Sequence, residues 1–218
     1  MPGMSHPIFA RVYQRVSVAM DRAGGAEQRQ ALVAGLHGRV IEIGAGSGLT
    51  FAHYPPDVSQ VVAIEPEPQL RTAAVLAAQN APVPVRVVDA MAEALPGDSG
   101  AFDAAVCALV LCTVSDQGAV LAEIHRVLRG GGQLRFFEHV AAAEPGSMRR
   151  AQRLVDATLW PRLFAGCHTG RDTAAAIASA GFTIDDLHRF RFPATGPASP
   201  AAPHIRGSAT RSGDAAIR

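Results

Sequence analysis

The sequence contains no lysine: all twenty of its Lys+Arg residues are arginine. Without lysine the chain cannot form a Schiff base on a protein amine, which excludes lysine-anchored pyridoxal phosphate, and it cannot build a P-loop. Cysteine is scarce as well. The three that occur, Cys107, Cys112 and Cys167, are odd in number and show no C-x-x-C spacing, so spacing suggests neither a disulfide framework nor a zinc site, and no metal is expected. No apolar run approaches the roughly eighteen residues of a membrane span, and the opening MPGMSHPIFARVYQR lacks the apolar core of a secretory leader. A chain with no membrane span, in a reducing cytoplasm, is the expectation. Net charge is only +1, so no overall field recruits nucleic acid or an acidic membrane surface, and neither is an expected partner.

What is present suits a globular domain: 218 residues, 48% hydrophobic and 18% charged, enough for one domain with a full core. Glycine is concentrated in RVIEIGAGSGLT, residues 39–50. An apolar run over 40–43 passes into Gly44, Gly46 and Gly48 and then into what reads as a helix N-terminus. Glycine suits such a turn because it accepts positive φ and lets the backbone approach a ligand, while a helix start offers unpaired N–H groups. A dinucleotide fingerprint would need glycine where Leu49 stands. The pattern E-x-G-x-G-x-G, with Glu42 inside the strand, instead resembles the first motif of class I S-adenosylmethionine (SAM) methyltransferases. A glycine-rich βα turn without a ligand is the competing reading.

The chain on either side fits a nucleotide-binding sheet. Residues 7–36 read as two helices broken at Gly24 and Gly25, and Tyr13 on the first is placed either to fold over a cofactor or to lie on a packed amphipathic face. A strand over 61–64 ends on Glu65, twenty-one residues beyond Gly44, where a carboxylate can accept both ribose hydroxyls. After a helix over 68–79, a strand over 83–88 ends on Asp89, positioned for an adenine amino group. FDAAVCALV, residues 102–110, is the continuous apolar run of a strand buried on both faces. A helix over 116–128 is expected to close on Gly130, Gly131 and Gly132, and a strand over 133–137 runs into Glu138 and His139. Five cycles of strand and helix predict an open, doubly wound α/β sheet that binds ligands at the carboxyl ends of its strands. Beyond it come a long amphipathic helix over 145–164, a helix over 173–180, a strand over 182–192, a Pro/Ala/Gly/Ser loop and a short strand over 204–210.

Four strings, VCALVLCTV, VLRGGGQLRFFEHVAA, QRLVDATLWPRLFAGCHTGRDT and PHIRGSA, resemble the microsomal alkyl-thiol S-methyltransferase family over residues 40–209 or so. The resemblance implies a three-layer, Rossmann-like, seven-stranded mixed sheet, with strand seven antiparallel between five and six. It implies a single domain over residues 1–210, with a helical lid over 1–37 and a cap insertion over 145–173, and a frayed tail over 211–218. The family's N-terminal hydrophobic anchor is not expected here. The implied methyl donor is SAM, released as S-adenosylhomocysteine. The implied partner is a small-molecule acceptor, first a thiol, otherwise an amine, phenol, quinone or lipid headgroup; a SAM-binding protein without turnover is the reading from a different class. Gly44, Gly46 and Gly48 would then hold the methionine end and Glu42 would orient its amino group. Glu65 and Pro66 would take the ribose, and Asp89, Ala90 and Met91 the adenine, with Cys107, Leu109 and Tyr13 completing the cofactor site. A thiol of pKa about 8.5 must react as its thiolate, which makes His139 the candidate base beside Glu138. Cys112, Trp160 and Cys167 are the candidate pocket residues.

Overall fold

A computed structural model describes residues 7–158, 160–163, 166–195 and 199–212, with side chains left aside at 7–12, 162 and 163. Helices α1 (Pro7–Met20) and α2 (Ala26–Val33) precede the sheet. They are joined by a π-helical turn in which Ala23 and Gly24 leave helical geometry, the break that the glycine pair predicts. The strands are β1 (Gly38–Ile43), β2 (Val58–Ile64), β3 (Val85–Val88), β4 (Phe102–Ala108), β5 (Leu128–His139), β6 (Phe182–Arg191) and β7 (Pro203–Arg211). They lie in the order β3-β2-β1-β4-β5-β7-β6, parallel throughout except that β7 runs antiparallel to both β5 and β6. This is the mixed sheet expected from the sequence. The remaining helices are α3 (Pro68–Ala78), α4 (Gln117–Val127), α5 (Ser147–Asp156), α6 (Trp160–Leu163) and α7 (Thr173–Ser179).

Both faces of the sheet are covered. Ile41, Ile43, Val62 and Phe136 pack with Ile124 of α4 and Ile177 of α7. On the opposite face Val40, Val61, Val106 and Phe137 pack with Leu32 and Val33 of α2 and Ala74 of α3. Burial on both sides is why these strands read as unbroken apolar runs, and each such side chain contributes about 1.5–3 kcal/mol. Strand order reverses between β1 and β4, so the crevice for a ligand opens at the carboxyl ends of those two strands.

Some local expectations are corrected. The glycine turn after β1 does not start an α-helix; only a 3₁₀ turn, Phe51–His53, follows, because Pro55 and Pro56 come next and disfavour helix at the residue before them. The link from β3 to β4 also contains no helix, so strand and helix alternate less regularly than five full cycles. Gly130, Gly131 and Gly132 do not cap α4. That helix stops at Leu128, whose backbone is already extended, and the glycines form an irregular start to β5, where Leu128 pairs with Phe102 and Gln133 with Ala104. The helix expected over 145–164 is interrupted, with α5 closing at Ala157 and α6 starting at Trp160. Residues 1–6 of the expected lid and 213–218 of the expected tail lie outside the described residues. Among the described residues, no helix is long and apolar enough to cross a membrane.

Candidate active site

The three glycines after β1 serve different ends. A Cβ at Gly44 would come within 2.7 Å of Val110, and one at Gly48 within 2.7 Å of Phe51 and 2.9 Å of Ala77, so both are fixed by close packing. Gly46, at φ 58°, is open on its outer side, where the nearest group is the ring of Tyr13 from α1, 3.5 Å from a would-be Cβ. Glu65, just past β2, is buried and turned back onto this turn. Its Oε2 accepts the Gly46 N–H at 2.8 Å and its Oε1 the Glu67 N–H at 2.9 Å. Burial raises its pKa, opposed by those two hydrogen bonds. Each carboxylate oxygen keeps a further lone pair, which leaves one acceptor on each for a ribose hydroxyl. The donor set therefore fits the expected ligand.

Glu42 lies deeper, 2% exposed, in the wall between the turn and the core. Tyr54 donates its hydroxyl to Glu42 Oε2 at 2.8 Å, and Arg29 of α2 donates to Thr50 Oγ1 at 3.2 Å while pairing with Asp21 at 3.0 Å. Burial pushes the Glu42 carboxyl up to about 7, against hydrogen bonds from Tyr54 and Thr50 and the charge of Arg29. Sequence reasoning missed Tyr54, Thr50 and Arg29; only a buried acid in β1 hinted that such partners must exist. A narrow cleft lined by Tyr13, Ser17, Arg29, Glu42, Gly46 and Ser47 marks this end of the site.

At the other end Asp89 is exposed and paired with Arg71 at 2.9 Å. Arg71 also donates to the carbonyls of Glu65 and Pro66, tying the ends of β2 and β3 together, another role invisible in sequence. Ala90 is half-buried against the core and Met91 is exposed. Cys107 is fully buried within the core at the end of β4.

The segment after β4 holds a non-glycine residue at positive φ. Leu109 has φ 62°, a left-handed conformation that costs about 1–3 kcal/mol in a residue with a side chain. Its own N–H, donated to Phe137 O at 2.7 Å, holds it on one side, and the anchored residues 110–112 hold it on the other. The N–H groups of Val110, Leu111 and Cys112 all donate to the buried carboxylate of Glu138, at 3.0, 3.0 and 3.1 Å. Burial raises the Glu138 pKa while these donors lower it. With its oxygens engaged this way Glu138, expected beside His139 as a catalytic carboxylate, holds the backbone of residues 110–112.

That loop carries Cys112 to its neighbours. Cys112 and Cys167 are buried, His139 is half-buried, and His139 Nδ1 lies 3.4 Å from Cys167 Sγ. Ligating atoms of all three residues lie within 4.8 Å of one another. Cys112 beside it, with His139 and Trp160, holds the Cys167 thiol well below its usual range, against the opposing effect of burial. Cys112 is pushed up, first by its closeness to Cys167 and then by burial. His204 of β7, paired in register with His139, stands with its ring 4.4 Å from it. Its Nδ1 bonds Ala202 O at 2.9 Å, and burial together with the charge of His139 lowers it to about 3. His204 was missed in sequence, where PHIRG marked a strand and not a site.

The cap is fastened by polar side chains. Gln152 of α5, fully buried, accepts the Ala142 N–H and donates to the carbonyls of Val140, Thr169 and Pro200. Asp156 accepts from Thr169 and Gly170, and Arg171 donates to Leu111 O and Val114 O. His168 N–H donates to Cys112 O at 2.8 Å, so the two cysteine-bearing loops are joined next to the cluster. Tyr13 spans the distance to the cofactor side: its phenol is raised by burial and by the charges of Glu65, Cys112 and Glu138, with Arg29 opposing.

A family model described as a methyltransferase domain matches residues 41–136. Thiol S-methyltransferase TMT1A of Homo sapiens is 34% identical over 175 residues, covering 79% of this chain and 70% of the relative. Thiol S-methyltransferase TMT1B of Homo sapiens is 35% identical over 183 residues, covering 81% and 73%. Among solved structures, a SAM-dependent methyltransferase of Thermotoga maritima, described as a possible histamine N-methyltransferase, superimposes with a TM-score of 0.69 at 20% identity, covering 94% of this chain and 97% of its own. With the sheet order and the glycine turn under Glu65, these define a SAM-dependent methyltransferase. More narrowly, the chain belongs to the thiol S-methyltransferase family.

Proposed function

We propose that this methyltransferase acts on a small-molecule thiol, and that the carrying observation is the cluster of Cys112, His139 and Cys167 at the carboxyl ends of β4 and β5. SAM supplies a sulfonium methyl, an electrophile already activated by its charge. The residues of the chain hold and orient: Gly44, Gly46 and Gly48 the methionine end, Glu42 its amino group through the surrounding wall, Glu65 and Pro66 the ribose, and Asp89, Ala90 and Met91 the adenine. Leu109 shapes the floor, and Tyr13 with the described helices before β1 forms a lid over Gly46. Orientation and exclusion of water contribute most of the rate, on the order of 7–11 kcal/mol.

The acceptor's sulfur meets the cluster, which ionises it. His139 is the half-buried member and so the one that faces an incoming molecule, and its Nδ1 is against Cys167. Trp160 and the described residues of the cap wall the acceptor pocket. The setting is cytoplasmic, with neither nucleic acid nor a membrane surface as partner.

The test is turnover of SAM against a panel of small alkyl thiols, amines and phenols, read as S-adenosylhomocysteine formed and methylated product identified. Methyl thioethers are expected from thiols, with His139→Ala lowering their rate of formation. Products from amines or phenols alone would move the acceptor class. SAM binding with no product from any of them would make the chain a sensor and not a catalyst.

A further inference from the structure

Cys112, His139 and Cys167 reach one point from three separate parts of the chain: the loop after β4, the end of β5 and the cap. We propose that these three residues form a binding site for a soft divalent cation, zinc by its donor set, with the fourth position open to the sulfur of the methyl acceptor. The proposal rests on the thiol reading above and names how the cluster ionises that thiol.

The geometry supports it at each ligand. A tetrahedral zinc with thiolate at about 2.3 Å and imidazole at about 2.0–2.1 Å places sulfur and nitrogen about 3.6 Å apart. The observed separation of Cys167 Sγ and His139 Nδ1 is 3.4 Å, and the ligand atoms lie within 4.8 Å of one another, a spread closed by small side-chain rotations. Two thiolates and an imidazole select zinc-like ions over magnesium or calcium, which take oxygen. Three protein ligands with one open position are the pattern of reactive and not structural zinc.

Outer contacts that fix metal ligands are also in place. The backbone N–H of Cys112 is held by Glu138, and its carbonyl by His168 N–H, so the residue is fixed from both sides. Trp160 stands beside Cys167 and favours its thiolate, the effect an outer neighbour has on a thiolate ligand. Gly166, beside Cys167, sits with a would-be Cβ only 2.6 Å from Thr113 O, so the cap chain approaches the β4 loop as closely as a glycine allows. The two cysteine-bearing segments are therefore set against each other by backbone, before any ion is bound. Spacing along the chain offers no hint of this, since 55 residues separate the two cysteines and the histidine lies between them.

In the proposed step an acceptor thiol loses its proton to solvent as its sulfur takes the fourth position. A lone pair on that sulfur forms the new S–CH3 bond as the CH3–S bond of the sulfonium breaks. The electron pair of the broken bond stays on the donor sulfur, leaving neutral S-adenosylhomocysteine. The neutral thioether is a weak ligand and departs. No oxidant or reductant enters.

The experiment uses the full chain, freed of metal by chelation under reducing conditions and titrated with Co²⁺ as a spectroscopic substitute for Zn²⁺. One equivalent is expected to produce near-ultraviolet sulfur-to-cobalt charge transfer and the visible bands of a tetrahedral site, displaced by Zn²⁺ and perturbed by a small alkyl thiol. Cys112→Ala and Cys167→Ala, checked for folding by SAM binding, are expected to lose the charge-transfer bands. Folded, SAM-binding protein that gives no cobalt spectrum and forms thioethers equally well after chelation would overturn the metal site and leave the thiol reading standing. A Cys112–Cys167 disulfide that persists under those reducing conditions would also overturn it. Cobalt bands that appear but ignore thiols, with no thioether formed, would retain the ion and overturn the proposed acceptor at its fourth position.

Discussion

The two ends of the site are built from different materials. On the cofactor side, between β1 and β3, the contacts are made by backbone: a glycine turn, its N–H groups, and carboxylates at strand tips that grip amides. On the acceptor side, around β5 and β7, they are made by polarisable side chains, two cysteines, two histidines and a tryptophan, delivered partly by a cap that Gln152 and Asp156 fasten down. A backbone cradle recognises one invariant co-substrate, whereas a side-chain pocket is free to vary with the acceptor while the cradle stays fixed. Glu138 is where the two meet, since it stands on β5 and holds the loop that continues β4.

The strongest way to break this comparison is to cut that link. Glu138→Ala leaves three buried N–H donors without an acceptor and removes the support of the left-handed Leu109, so unfolding free energy in urea is expected to fall by about 4 kcal/mol or more. Glu138→Gln, which keeps an acceptor, is expected to recover part of it. A loss under about 1 kcal/mol for the alanine variant would mean that the two ends stand independently.

Glu42 gives the next largest effect, confined to the cofactor side and visible as pH dependence. Its folded pKa of about 7 exceeds the usual 4.5, so between those values the folded chain holds a proton that the unfolded chain has released. Stability of the SAM-free chain should therefore fall as pH rises through that window, by an amount approaching about 3 kcal/mol, and level off above it. Glu42→Gln keeps an acceptor for Tyr54 and is expected to flatten that slope, measured as unfolding free energy against pH. An unchanged slope would place the titrating group elsewhere.

The smallest effect sharpens the contrast. Asp89→Ala removes an exposed ion pair with Arg71, so stability should change by less than about 1 kcal/mol. SAM affinity, measured by calorimetry, should nevertheless drop, on the role proposed for the carboxylate toward the adenine. Equal affinity would remove Asp89 from the site.

Legibility in the sequence follows the same division. The strands were readable because burial on both faces leaves continuous apolar runs, and Gly46 and Glu65 because a nucleotide-shaped ligand demands backbone approach and a strand-tip acid at a set distance. The helix expected after the glycine turn failed on two prolines, and the glycines at 130–132 belong to a strand start and not a cap. On the acceptor side the residues were individually visible, Cys112, His139, Trp160 and Cys167, but their meeting was not. Contacts across 28 and 55 residues depend on how β5 and the cap are folded against the β4 loop, and no local period or spacing encodes that. Gln152, buried in a helix whose pattern is otherwise polar, was hidden for the same reason.

The place of β7 has a consequence for how the chain is made. It follows β6 in sequence but lies between β6 and β5, so during synthesis the edge of β5, including Phe136 and Phe137, has no strand beside it until the last long strand has emerged. Domains generally fold as units, so the sheet is completed only once β7 is available, and until then the N–H and C=O groups along that edge of β5 stand open. The interval before β7 inserts is when a nascent chain is most exposed to pairing with the wrong strand.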